Sequence, residues 1–431
     1  MAVRSRGDIV GVVDLGSREI RVLIGRREDG GAIQIVGHGT APGRGSVSQG
    51  VIQDRNAAQL ALKRALADAE KEARTRVTSL FCGVNGRNVE TFIREGQARL
   101  EHEVVSEAHL DEARDIASRD ILAAGKKITS SITAQEWYVD DMRVVDPTGI
   151  RGQVLRTRVH FARLPAVIQD NIRQCIESQH RELEDAIFAP LAASLGCLTP
   201  EDMELGVAVL DMGRSTTGLA VFRDHGILGT HCFEWGGYHI TRDVAAGLQV
   251  SFEEADELIL EYGLPVGLIR AEFGREGDAP EAARPQADRG ARIKLKTAVP
   301  GAPAIVERSD FDVIVFERAK ELMVKVRQHL HARGLSKSLI RGVVLTGGAS
   351  RIKNYTALAE AVFQVPCRVG YPNSVEILPH AVEAPEFSVA VGIVRHAFDY
   401  RTAAKEGRVE ARGAAASWRR RLVRFFRKYF L

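Results

Sequence analysis

A strand–turn–strand motif built on Asp-x-Gly occurs twice in this chain, and the repetition restricts its folds more than any other feature. The first copy is Ile9-Val10-Gly11-Val12-Val13-Asp14-Leu15-Gly16-Ser17, followed by apolar residues from Ile20 to Gly25. The second is Gly206-Val207-Ala208-Val209-Leu210-Asp211-Met212-Gly213-Arg214-Ser215-Thr216-Thr217, followed by Leu219 to Phe222. Such a turn sets backbone N–H groups, a hydroxyl and an acid at a strand end. The N–H groups can cradle phosphate oxygens, and the acid can hold Mg²⁺ through water. A single Asp-x-Gly is an ordinary hairpin turn. Two copies in one strand context form a clamp for a nucleotide's phosphates. A third element joins them: Gly342 to Leu345 leads into Thr346-Gly347-Gly348-Ala349-Ser350, and Arg351 to Phe363 reads as a helix. Glycines at a strand end before a helix allow close approach by a flat ring or a phosphate.

At 431 residues the chain exceeds one simple domain. Its 45% hydrophobic, 27% charged and 6% aromatic content fits a soluble α/β protein. Cys82, Cys175, Cys197, Cys232 and Cys367 are scattered without a Cys-x-x-Cys, which argues against a disulfide framework or structural zinc and for a reducing compartment. Residues 1–7 are polar, and Asp14 breaks the apolar run after them, so the expectation is a first strand rather than a signal peptide. No stretch approaches the ~20 apolar residues of a membrane span.

Charge is uneven. Residues 417–431 hold six Arg/Lys and no acid, so the net +3 of the chain less this +6 leaves −3 for the rest. A mildly acidic body gives no nucleic-acid partner.

The spacing predicts strands at 9–13, 20–25 and 33–36, an Ala-rich helix over 57–74 and a strand at 80–84. This β-β-β-α-β order is that of the ribonuclease-H-like core of actin-type ATPases. Residues 88–163 differ in character, with strands expected at 90–100 and 136–145 and a helix near 106–123. A strand at 159–161 is expected to return the chain to the first unit, before helices around 165–179 and 190–197. The second unit begins at Gly206, with a third strand at 227–233 and helices near 240–247 and 252–262. Residues 274–303, with Pro280, Pro285, Pro300 and Pro303, read as a mobile surface loop. Helices are predicted over 311–333 and 388–398, and a flexible linker over 401–416.

In the tail, Trp418, Leu422, Phe425, Phe426 and Tyr429 share one arc of a helical wheel, and Arg420, Arg421, Arg424, Arg427 and Lys428 fill the other. Ser417 suits the N-cap. A docked or dimerising terminal helix is the plain alternative, but it has no need of six positive charges. A basic amphipathic helix with aromatic residues fits an anionic lipid surface.

Together these features resemble the FtsA family of actin-like bacterial cell-division proteins, over nearly the whole chain. Further matching motifs are Pro42-Gly43-Arg44-Gly45 through Gly50-Val51-Ile52, Gln135-Glu136-Trp137, Phe188-Ala189-Pro190-Leu191-Ala192-Ala193-Ser194, Gly236-Gly237-Tyr238-His239-Ile240-Thr241, Leu345 to Ala349, and Val389-Ala390-Val391-Gly392. The resemblance implies an α/β, actin-like fold: two ribonuclease-H-like domains flanking a nucleotide cleft, an inserted subdomain and a C-terminal amphipathic helix. The implied units are 8–87 with 164–203 and a closing helix 386–399, the insertion 88–163, the second core 204–236 with 309–385, a small subdomain 237–308, a linker 400–416 and the helix 417–431. It implies ATP with Mg²⁺ as cofactor. The implied nucleotide contacts are Asp14, Gly16, Ser17, Arg18 and Arg21 from the first turn and Asp211, Gly213, Arg214, Ser215 and Thr216 from the second. Gly236, Gly237, Asp256, Gly347, Gly348 and Ala349 lie on the nucleoside side. Asp14 and Asp211 would position metal and water. The implied partners are the tail of the tubulin-like protein FtsZ, received by 237–308, further copies of the chain, other division proteins and anionic lipid. The implied location is the cytoplasmic face of the inner membrane at the division site.

The chain departs from the family pattern at the second turn. The family runs Asp-x-Gly-Gly-Gly-Thr-Thr-Asp, whereas Arg214, Ser215 and Gly218 stand here in place of two glycines and the later acid. Arg214 either obstructs the phosphates or supplies them a positive charge. Asp256 and Ile259 stand where the family offers Glu and Lys. The region 190–198 has no Gln to orient a water, so hydrolysis is expected to be weak or absent. Two other readings stay open: an actin-like scaffold of the type IV pilus kind, and a sugar-kinase-type phosphotransferase.

Overall fold

The computed structural model describes residues 9–405 apart from 44, 87, 102–103, 124–131, 145, 275–289 and 297–303, with backbone alone at 120–123, 132–135 and 403–405. The expected linker beyond residue 405 and the basic helix 417–431, with all its named lipid-facing residues, lie outside the described residues.

The first half opens with β1 (Ile9–Leu15), β2 (Glu19–Arg27) and β3 (Ile33–Pro42), then a short hairpin of β4 (Val47–Ser48) and β5 (Val51–Ile52). Helix α1 (Arg55–Ala73) and β6 (Ser79–Val84) follow. Asp54 caps α1 by accepting from the Ala57 N–H, and Ala58, Ala61, Leu62, Ala65, Leu66 and Ala69 recur at helical spacing on its buried face. The chain then makes β7 (Glu90–Arg99), α2 (Glu107–Ala123), β8 (Ile132–Val139), β9 (Met142–Val144) and β10 (Val154–Arg163). It closes the half with α3 (Ala166–Glu177), β11 (Glu182–Phe188), α4 (Ala189–Cys197) and α5 (Pro200–Leu205).

The second half holds β12 (Val207–Met212), β13 (Thr217–Arg223), β14 (Gly226–Phe233), α6 (Gly237–Leu248), α7 (Phe252–Tyr262) and α8 (Val266–Phe273). After them come β15 (Arg292–Lys294), β16 (Ile305–Glu307), α9 (Arg308–Ala332), β17 (Val343–Thr346), α10 (Tyr355–Phe363), β18 (Cys367–Val369) and α11 (Ser388–Lys405).

Two five-stranded sheets share one topology. The first runs β11-β6-β1-β2-β3 and the second β14-β13-β12-β17-β18. Each is an antiparallel three-strand meander extended by two parallel strands on the first strand's free side. Asp14 sits opposite Arg21 and Gly83; Asp211, its counterpart, sits opposite Gly218 and Thr346. The repeated motif is therefore a repeated structural unit.

The halves meet where α4 crosses α11. A Cβ on Gly392 would strike the Ala192 carbonyl, and one on Gly196 the Ser388 carbonyl. Small residues thus let the two backbones touch, and one apolar cluster from both sheets and both helices surrounds the crossing. Among the described residues, no helix is long and apolar enough to cross a membrane.

Several sequence expectations need correction. The single strand expected at 136–145 is a hairpin of β8 and β9, turned at Asp140 and Asp141 with φ of 49° and 66°. The segment 159–161 does not return to the first unit. It belongs to β10, which lies between β7 and β8 in a separate four-stranded sheet. The expected loop 274–303 contains β15, which pairs with β16 just beyond it, and Ile293 and Leu295 are buried in the second half's core. The helix expected from Arg351 starts at Tyr355, after a 3-10 turn and Asn354 at φ 64°. Helix α11 runs on through 401–405, expected as linker; Arg401 bonds Glu184 and the Ile9 carbonyl, and Arg27 bonds Thr402.

Candidate functional site

The ends of β1, β6, β12 and β17 open on one cleft between the halves, the edge at which α/β sheets present their ligand sites. Its lining includes Asp14, Gly16, Ser17, Arg18 and Arg21 from the first turn and Asp211, Gly213, Arg214, Ser215 and Thr216 from the second. Gly237, Asp256, Gly347, Gly348 and Ala349 line it as well. Gly236 does not. It packs against the Gly213 and Arg214 carbonyls and takes no part in the lining.

The two turns face each other. Ser17 Oγ lies 2.7 Å from Ser215 Oγ, and the Gln49 N–H donates to Ser215 Oγ at 2.9 Å. Gln49 is held by close backbone packing of Gly50, at φ 75°, against Asn85. Gly213 N–H closes its turn on the Thr216 carbonyl at 2.9 Å. The first N–H groups of α6 are spent on the same turn: Gly237 donates to Gly213 O at 3.0 Å and Tyr238 to Arg214 O at 2.7 Å. The start of α6 thus fixes the second turn and leaves those donors unavailable to a ligand.

Two acids and one guanidinium define the electrostatics. Asp211 is buried and Asp14 largely buried in the lining of the cleft. Burial raises the Asp14 carboxyl above the usual carboxylate range, against the pull of Arg21. Asp211 is pushed up to about 7, first by burial and then by the charge of Asp14, with Arg21 opposing. Arg21 donates to Glu19 at 2.8 Å and stands 3.8 Å from Asp14, with its Cζ 5.3 Å above the Phe387 ring. Its buried Nε has no hydrogen-bond partner among the described residues. Gly347, at φ 82°, touches the second acid: a Cβ there would lie 2.7 Å from Asp211 Oδ1.

Arg214 turns away from the first turn. Its Nη1 donates to Asp256 Oδ2 at 3.1 Å, and its Cζ lies 5.1 Å from the Tyr238 ring centre. Thr241 donates to the other Asp256 oxygen at 2.6 Å.

Sequence reasoning missed several lining groups. Gly83, Val84 and Asn85 arrive through the parallel register of β6 on β1, a signal available once β6 is placed beside β1. Asp14 and Asp211 were expected to position metal and water. Glu386 adds a fourth carboxylate to the lining, after Asp14, Asp211 and Asp256; it accepts from Arg351 at 2.7 Å through Oε1, and its buried Oε2 is unpartnered among the described residues. No local pattern marks it.

The cleft therefore offers two hydroxyl-bearing turns, a buried pair of like charges and an incompletely paired guanidinium. Two matched halves around such a cleft define the actin-like class. Solved structures agree at the level of fold. The PilM–PilN type IV pilus biogenesis complex matches with TM-score 0.59 and 15% identity, covering 91% of this chain and 99% of the other. MreB5 of Spiroplasma citri bound to ADP matches with TM-score 0.52 and 12% identity, covering 94% and 99%. Its AMPPNP-bound form gives TM-score 0.51 and 13% identity, covering 93% and 98%.

The sequence places the chain within that class. The family model "Cell division protein FtsA" matches residues 208–392. FtsA of Pseudomonas aeruginosa is 27% identical over 397 residues, covering 92% of this chain and 91% of the relative. FtsA of Neisseria meningitidis is 29% identical over 390 residues, covering 90% of each. FtsA of Escherichia coli strain K12 is 24% identical over 432 residues, covering 98% of each. The chain is thus similar to the FtsA cell-division proteins over nearly its whole length.

Proposed function

We propose that this chain is a cell-division scaffold that tethers FtsZ filaments to the cytoplasmic membrane and self-associates in an actin-like way, with ATP and Mg²⁺ held in the cleft and hydrolysis weak or absent. The observation that carries the nucleotide part is the meeting of the two turns at Ser17 and Ser215 above two buried acids. The residues fit the group. The Nε of Arg21, unpartnered among the described residues, suits an anionic oxygen, and a cation would offset the burial and the Asp14 charge that lift Asp211. Asp14 and Asp211 would hold the hydrated metal, and the turns Gly16–Ser17 and Gly213–Thr216 the phosphates. Bound Mg²⁺ would neutralise phosphate charge. Among the described residues that line the cleft there is no Gln, and the side-chain amide there is that of Asn85.

The membrane part rests on sequence. Six basic residues and one aromatic arc in 417–431 suit an anionic surface at ~1 kcal/mol per basic residue near it. The family's division role supports FtsZ, further copies of the chain and other division proteins as partners, and a peripheral position on the inner membrane at the division site. The proposed units are those implied above, with the closing helix carried on to 405, and with 88–163 and 237–308 carrying the partner contacts. Vesicle co-sedimentation with purified FtsZ tests this. The full chain is expected to carry FtsZ to anionic vesicles, and a chain lacking 417–431 to bind FtsZ but leave it in solution. A truncated chain that still sediments with vesicles would overturn the tether.

A further inference from the structure

The family pattern puts glycine where this chain has Arg214, and the structure gives that arginine a partner within the cleft itself. The Arg214–Asp256 pair spans from the second turn to α7, with both side chains close to nine-tenths buried. Tyr238 underlies the guanidinium, and Thr241 orients the carboxylate. Both members of the pair line the cleft.

We infer that Arg214 and Asp256 form an exchangeable latch that makes the site select for the polyphosphate of its ligand. The inference rests on the nucleotide reading above and goes beyond it. A largely buried guanidinium leaves a carboxylate only for another anion of comparable strength. A di- or triphosphate on the second turn is such an anion, and it lies one residue from Gly213 and Ser215. Once drawn to the phosphates, Arg214 leaves Asp256 able to accept from ligand hydroxyls beside α7. A nucleoside has no phosphate to offer. It must break the ion pair without replacing it, so the latch penalises nucleosides and favours nucleotides. A glycine turn imposes no such penalty, because its only donors are backbone N–H groups.

The test is calorimetric titration of the full-length chain with adenosine, ADP and ATP, each with Mg²⁺, for the unaltered protein and for Arg214→Gly, Arg214→Lys and Asp256→Asn. Thermal unfolding confirms that each variant is folded. In Arg214→Gly, adenosine is expected to bind roughly tenfold tighter, the scale of one charged hydrogen bond, and the preference for ATP over adenosine to fall by at least that factor. Arg214→Lys, which keeps the charge, is expected to retain most of the preference. Asp256→Asn releases Arg214 and spares both ligands the cost of breaking the pair, so adenosine and ATP should both bind tighter with the preference for ATP kept. If ATP binds but neither adenosine affinity nor the preference responds to Arg214→Gly, the latch is wrong and the nucleotide site stands. If no variant binds any of the three ligands, the nucleotide reading falls and the latch with it.

Discussion

Ser17 Oγ and Ser215 Oγ, 198 positions apart in the chain, meet at 2.7 Å across the cleft. Each belongs to one copy of the repeated turn, so this contact joins the two halves at their equivalent points. Ser215 also accepts from the Gln49 backbone, which ties the loop before α1 to the second half. Replacing Ser215 by Ala removes both bonds and leaves a part-buried N–H without its acceptor. The expected cost is about 1–3 kcal/mol of stability, read by urea unfolding. Faster amide exchange is expected at 47–52 and 213–217. Unchanged exchange at Gln49 would show that the contact holds nothing.

Asp211 makes stability depend on pH in a defined direction. Its folded pKa, about 7, lies above the ordinary 3.8. The folded state therefore holds a proton that the unfolded state releases between these values. This contribution is fully present below about 3.8 and is lost as pH rises through about 7. Asp211→Asn removes the charge while keeping the shape. It is expected to raise stability at pH 8, by an amount on the order of a few kcal/mol at most, and to give no gain at pH 4. Melting curves across that range check it; a gain that is constant with pH would contradict the assignment of the cost to ionised Asp211.

The crossing of α4 and α11 holds the halves together through backbone contact. Gly392→Ala puts a methyl group into the Ala192 carbonyl and is expected to cost more than about 3 kcal/mol. Gly30→Ala, with nothing within 4 Å of the added group, is expected to stay within about 0.5 kcal/mol. Denaturant midpoints of the two variants distinguish a specific crossing from a general sensitivity to glycine replacement.

The parts legible in the sequence were those with local causes. Both meanders and α9 follow from apolar periodicity, and α1 and α7 from periodicity together with their caps, Asp54 and Ser251. Strand β11 was not legible, because it opens with Glu182-Leu183-Glu184-Asp185. Those acids belong in a strand only because Arg401 and His396 of α11, more than 200 positions away, bind Glu184 and Asp185. Strand β18 is three residues long, too short for a period. In the cleft, the two turns carried their own signal. The fate of Arg214 did not, since Asp256 lies 42 positions on and only the packing of α7 beside α6 brings it near. Glu386 reaches the cleft from a 3-10 turn with no recognisable pattern.

The most direct measurement is equilibrium binding of a fluorescent ATP analogue, with Mg²⁺, to the full-length chain and to Asp211→Ala. The clamp of two turns over paired acids predicts binding in the micromolar range, weakened at least about 100-fold by the substitution, the effect of losing more than one charged contact. Absence of binding up to millimolar analogue, or binding indifferent to Asp211, would contradict a nucleotide cleft and leave an actin-like body that works without one.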